Sequence, residues 1–295
     1  MAAAAMAAVS GVWNIGSAKT GAWNTAPAGR AARRPRAGPA GASASAAGAG
    51  AGGDGKPPAD PARAVAAVRA AADALTAAGS ARVRTAMEMA AGGTRVTIRG
   101  EGGVDFVHRM GQLLVMLPAD AAGKDEHRPI TELLVPGALY MKNRGAGVPD
   151  DKWVRVDTAT LGDGNLVTGG ATDPLAAAEL LRGAQEVTYV GETEVAGTRV
   201  WHYRGTTDLG RAARSASPDI RGTLEAAAKG FSKDSVPFDA YLDDEGRLRK
   251  VRHRFSYQNN GVIDVSSTTL LYGFGTPVTV ALPPSGDIYA GKIAE

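Results

Sequence analysis

The side chains able to do chemistry are few in this sequence. It holds four histidines, His108, His127, His202 and His253, and no cysteine. Disulfides, thiolate metal sites and a thiol nucleophile are therefore excluded. No two histidines stand four residues apart and no HExxH run occurs, so a helical zinc site lacks its ligand pair. Ser215, Ser217, Ser266 and Ser267 have no GxSxG turn around them and suit helix caps and strands. Adjacent carboxylates occur at Asp150-Asp151 and Asp243-Asp244, in turns, where Asp is favoured for its backbone hydrogen bonds. The Gly-rich loops 143–151 and 162–170 carry neither GxxxxGK[ST] nor GxGxxG after a strand, which leaves no phosphate cradle. No catalytic residue, metal site or cofactor is expected, and the chain reads as non-enzymatic.

What does recur with a pattern is apolar. Residues 81–91 alternate, with Val83, Met87 and Met89 on one face and Arg82, Arg84 and Glu88 on the other. Residues 94–99 answer with Val96 and Ile98 inward. This is the alternation of an antiparallel sheet with one wet face. Further strands are expected at 104–107, 112–117, 130–135, 139–142, 152–157, 235–242, 247–258, 262–274 and 278–282. Residues 184–209 read as a hairpin turning at Ala196-Gly197. Asp60-Pro61 and Asp173-Pro174 each place a capping side chain before a proline at a first helical position. Helices are thus expected over 62–78 and 175–182, with two more near 210–216 and 219–229. The fold class is α+β: a large curved antiparallel sheet, a half-barrel of about eleven strands, with helices on the concave side.

The inward faces of such strands offer soft apolar surface, and methionine suits varied apolar partners. Such faces either pack a dry core or line a ligand cavity; the candidates to line a cavity are Val83, Met87, Met89, Val96, Ile98, Leu114, Met116, Leu139, Met141, Val187, Val200, Phe238 and Leu242. Leu180 and Leu224, on the short helices, are candidates for its entrance. Parity sets Val200 and Trp201 on opposite faces, and Val200 is taken as the one facing the cavity.

The ends of the chain differ from its body. Residues 1–60 hold six basic residues against Asp54 and Asp60, leaving 27 of the 33 basic and 28 of the 30 acidic residues for the rest. A nearly neutral folded part argues against nucleic acid as a partner. Residues 1–18 carry no charge and read either as the remnant of a signal or anchor segment or as low-complexity tail. The basic RAARRPR run that follows would face the cytoplasm if that segment spanned a membrane, which conflicts with an external domain. Residues 19–59 are rich in Ala, Gly and Pro and read as a disordered tether. The folded domain is placed at 60–295.

Four stretches resemble a known family. VPGALYMKN with DDKWVRVD (135–157), YVGETEVAGTRVWHYRGTTDL (189–209), VPFDAYLDDEGRLRKVRHRF (236–255) and FGTPVTVALPPSGDI (274–288) are similar to elements of the LppX/LprA/LprF/LprG lipoproteins of actinobacteria. The wider fold is that of LolA, LolB and the sensor RseB. The resemblance implies a half-barrel whose hydrophobic cavity binds, and in some members transports, membrane lipids or glycolipids. It implies an extracytoplasmic place, membrane-associated or secreted, with the membrane surface or an envelope protein as partners. An RseB-like sensor or protein-interaction module on the same fold is the alternative. The chain departs from the family in lacking the cysteine that carries a lipid anchor.

Overall fold

The structure is a computed structural model that describes residues 60–91, 94–118, 128–144, 147–167, 172–258 and 262–290. The expected segments 1–18 and 19–59, with His127, lie outside the described residues. Helix α1 (Pro61–Ala78) starts where the Asp60 carboxylate accepts from the Ala62 N–H at 2.8 Å, and stops at Gly79. Its inner stripe is Ala64, Val68, Ala71, Ala72 and Leu75, mostly small side chains that let the helix lie close to the sheet.

Eleven antiparallel strands form one sheet: β1 (Ser80–Ala91), β2 (Thr94–Asp105), β3 (Met110–Met116), β4 (Ile130–Val135), β5 (Ala138–Lys142), β6 (Trp153–Asp157), β7 (Ala184–Val195), β8 (Thr198–Asp208), β9 (Ser235–Leu242), β10 (Leu248–Gln258) and β11 (Val262–Tyr272). Their spatial order is β6-β5-β4-β3-β2-β1-β11-β10-β9-β8-β7, so β6 and β7 are the edge strands and the sheet is not closed into a barrel. Helices α2 (Pro174–Leu180), α3 (Leu209–Ser215) and α4 (Pro218–Gly230) join α1 on one face, where their buried residues and the inward side chains of the sheet form a single core cluster. The α+β half-barrel read from the sequence is the architecture observed.

Two expected strands differ. Of the stretch 104–107, Val104 and Asp105 end β2, which runs unbroken through Gly100, Gly102 and Gly103, and Phe106 and Val107 lie in the turn to β3. The stretch 278–282 makes no ladder among the described residues. Instead the C-terminal segment crosses the outside of the sheet. Gly275 N–H donates to Ser80 at 2.9 Å, Val278 lies against Gly103, and Ile288 bridges Trp153 of edge strand β6. Prolines at 277, 283 and 284 remove the donors that a further strand would need.

The approach of β2 and β3 is tight at one point. A Cβ at Gly102 would stand 1.8 Å from the Gln112 carbonyl oxygen, which is backbone and cannot turn aside. Gly102→Ala is therefore expected to destabilise the protein by about 1–3 kcal/mol, the range of overpacking. Ala at Gly286, which has open space around it, is expected to leave the urea midpoint unchanged.

Candidate functional site

Strand pairing decides which side chains face the helices. One rung of the sheet runs Ile130–Val115–Gly100–Thr85–Thr269–Val251–Ala240–Tyr203–Tyr189. The next carries Ile98, Met87, Ser267, His253 and Phe238. Val83, Met87, Met89, Ile98, Leu139, Met141, Val187, Phe238 and Leu242 are all buried in this inner layer, with Val96 at its margin. Leu180 and Leu224, expected at an entrance, are fully buried in the same cluster. They plug the interior rather than rim it.

Three expectations are corrected by parity. Leu114 and Met116 pair with Glu101 and Arg99 on the outer face, where they are 40% and 47% exposed. The inward residues of β3 are Gly111, Leu113 and Val115. Val200 is buried but lies outside the inner cluster; Trp201 pairs with Leu242 and packs against it. The tip of the β7–β8 hairpin reaches the outer face, where Glu194, Val195 and Ala196 face Arg84, Lys250, Leu270 and Met116 across a groove of about 610 Å³.

The inner layer has an opening that the sequence reading missed. β9 pairs with β10 only from Leu242 to Phe238, whereas Pro237, Val236 and Ser235 go on pairing with β8. Pro237 has no N–H to give β10, and the two strands part there. A cavity of about 530 Å³ lies at the parting. Its apolar floor is Met89, Phe231, Val236, Phe255 and Val265, all members of the inner cluster. Phe231, the residue that ends α4, packs on Phe255 with ring centroids 5.3 Å apart. The rim is Arg95, Lys233, Arg252 and Arg254 against Glu88 and Asp264. Arg254 bonds Asp239, which also takes His202 Nε2 at 2.8 Å and Arg204 at 3.0 Å; Arg252 donates to Ser266 at 2.6 Å. A proline inside the β9 pattern was the signal that could have found this opening.

The remaining ionisable side chains serve the scaffold. Asp243 accepts the N–H groups of Glu245 and Arg247 in the β9–β10 turn. His108 bonds Asp105 at the surface. Glu179 of α2 is buried and gathers Arg109, Arg182 and Ser217, which ties three elements to one end of the sheet. Among the described residues no three metal-ligating side chains converge. No helix among them is long and apolar enough to cross a membrane.

Two inward groups titrate far from their usual range. Burial pushes the Glu132 carboxyl up to about 8 against the pull of the Arg144 charge, and burial pushes His253 down to about 3. From pH 6.5 to 8 Glu132 is protonated in the folded chain and ionised in the unfolded one. Folding then takes up a proton, so stability falls as pH rises, by up to about 1.4 kcal/mol per unit. His253 acts the other way below pH 6.5, where only the unfolded chain binds its proton. Urea midpoints at pH 6.5 and 8 are expected to drop for the wild type and to stay level for Glu132→Gln.

No family model matches the chain, and no curated protein matches it. Its structure is similar to the crystal structure of the Mycobacterium tuberculosis lipoprotein LppX, at 12% identity over 75% of this chain and 100% of that one, TM-score 0.45. It is similar to LprF from Mycobacterium bovis at 13% identity, over 75% of this chain and 97% of that one, TM-score 0.37. A LolA superfamily protein from Nitrosomonas europaea matches at 10% identity, over 70% of this chain and 90% of that one, TM-score 0.33.

Proposed function

We propose that the chain binds the acyl part of a membrane lipid or glycolipid, without reaction, between the inner face of the sheet and its helices. The opening between β9 and β10 is the way in. The observation that carries this reading is the join at that opening: an apolar floor continuous with the Met87 and Met89 layer, under a rim with four cations and two carboxylates. An amphiphile with an apolar tail and an anionic or polar head fits both parts. Its volume of about 530 Å³ falls within the range of about 300–1,000 Å³ usual for small-ligand sites. Each buried methylene contributes about 0.8 kcal/mol, so a tail alone supplies enough to hold. Release to a membrane or a partner would make the protein a carrier at the cell envelope, outside the cytoplasm, as the sequence resemblance implies.

The groove under the β7–β8 hairpin favours a second reading, a sensor or protein-interaction module. It sets exposed Met116 beside Leu270, Arg84 and Glu101 on the outer face. The two readings use opposite faces of one sheet, and a blocked mouth separates them. Ser235 is exposed and lines the mouth. Ser235→Trp is expected to keep the wild-type melting temperature and to weaken binding of a fluorescent fatty acid at least about tenfold, the effect of losing a few buried methylenes. Organic extraction of the purified wild type is expected to yield lipid by mass spectrometry. Unchanged affinity in the variant, with no lipid extracted, would leave the outer-face reading.

A further inference from the structure

Besides the Glu132 carboxyl, five buried polar groups on the inner face have no hydrogen-bond partner among the described residues: the hydroxyls of Thr85, Thr269, Thr207 and Tyr203, and Nε2 of His253. None of the five residues is more than 5% exposed. Thr85, Thr269 and Tyr203 stand on one rung, with only Val251 and Ala240 between them. His253 stands on the next rung, one step toward the opening. Its ring lies 5.9 Å from that of Phe255, which floors the cavity. A chain entering past Phe255 therefore meets His253 first and the threonine pair next.

This layer is able to satisfy its polar groups where it has a partner for them. Thr172 donates to the Leu166 carbonyl at 2.8 Å and accepts from the Ser267 hydroxyl at 2.5 Å. The Thr85 hydroxyl packs directly over Gly100, where a Cβ would come within 2.6 Å of it. Valine has the shape of threonine and would remove the unpaired group at no loss of packing, yet threonine stands at both positions. Polar groups left unpaired in a dry layer are destabilising unless something else pairs them.

We infer that the bound acyl chain carries an oxygen along its length, a hydroxyl or an ester oxygen, and that Thr85, Thr269 and His253 bond it. This rests on the acyl-chain reading above and adds a specificity to it: the site selects oxygenated tails over plain ones. All three groups can donate, so a tail oxygen with free lone pairs is the matching chemistry. Burial holds His253 neutral, which leaves the unpartnered ring nitrogen free to serve as donor or acceptor according to its tautomer.

Ricinoleic acid and oleic acid differ by one mid-chain hydroxyl and make the test. Their affinities are measured by calorimetry for the wild type, for Thr85→Val/Thr269→Val and for His253→Phe. The wild type is expected to bind ricinoleic acid about tenfold more tightly, the scale of one hydrogen bond to a buried group. The double variant is expected to melt no lower than the wild type, keep its affinity for oleic acid and lose most of the preference. His253→Phe gives the second reading should the double variant fold poorly. Equal affinities in the wild type, or an undiminished preference in both variants, would overturn the inference and leave the acyl-chain reading standing. Binding of neither acid by the wild type overturns that reading, and the inference with it.

Discussion

A sheet of eleven strands with one covered face depends on strand parity. Side chains alternate, so pairing register settles which half of every strand meets the helices. Here the register is locked in the middle, where β2 and β3 approach so closely at Gly102 that no side chain fits. From that contact the inward set follows strand by strand: Leu113, Glu132, Met141 and Val154 on one side, Val83 and Leu271 on the other. The helices then cover what the register has turned inward.

Parity also explains what the sequence made legible. Strong alternation in β1 and β2 placed Val83, Met87, Met89 and Ile98 correctly, and the two Asp-Pro caps placed α1 and α2. β3 was misplaced because GQLLVML has no clean alternation: five consecutive apolar residues allow either face to point inward. Only the pairing with Gly100 and Gly102 resolves it. Val200 and Trp201 posed the same ambiguity, settled by Leu242 across the ladder. The opening was missed for a different reason. A gap between two strands is a property of their pairing, and its sole local trace is Pro237 within an otherwise ordinary strand. The rim cations come from β2, β10 and the loop after α4, which no local pattern unites.

The inner layer departs from a dry core in ways that share one location. Its unpaired hydroxyls and neutral histidine cluster on β1, β11, β10 and β8. That is the half of the sheet nearest the parting of β9 and β10. The other half, from β2 to β6, holds one buried carboxylate, Glu132, in the field of Arg144. On the proposed reading, the layer is apolar enough to accept a tail and polar enough on one side to orient it. The outer face follows other rules. Its arginines and carboxylates pair across strands, as Asp239 does with Arg204 and Arg254.

The methionines report on both faces, since Met87 and Met89 lie inside and Met116 lies outside. The direct test of the central claim is a spectrum of protein carrying carbon-13 methyl-labelled methionine, recorded with spin-labelled stearic acid. A tail seated between sheet and helices will broaden Met89 and Met87 and leave Met116 sharp. Broadening of Met116 alone, with Met87 and Met89 unaffected, would contradict the account.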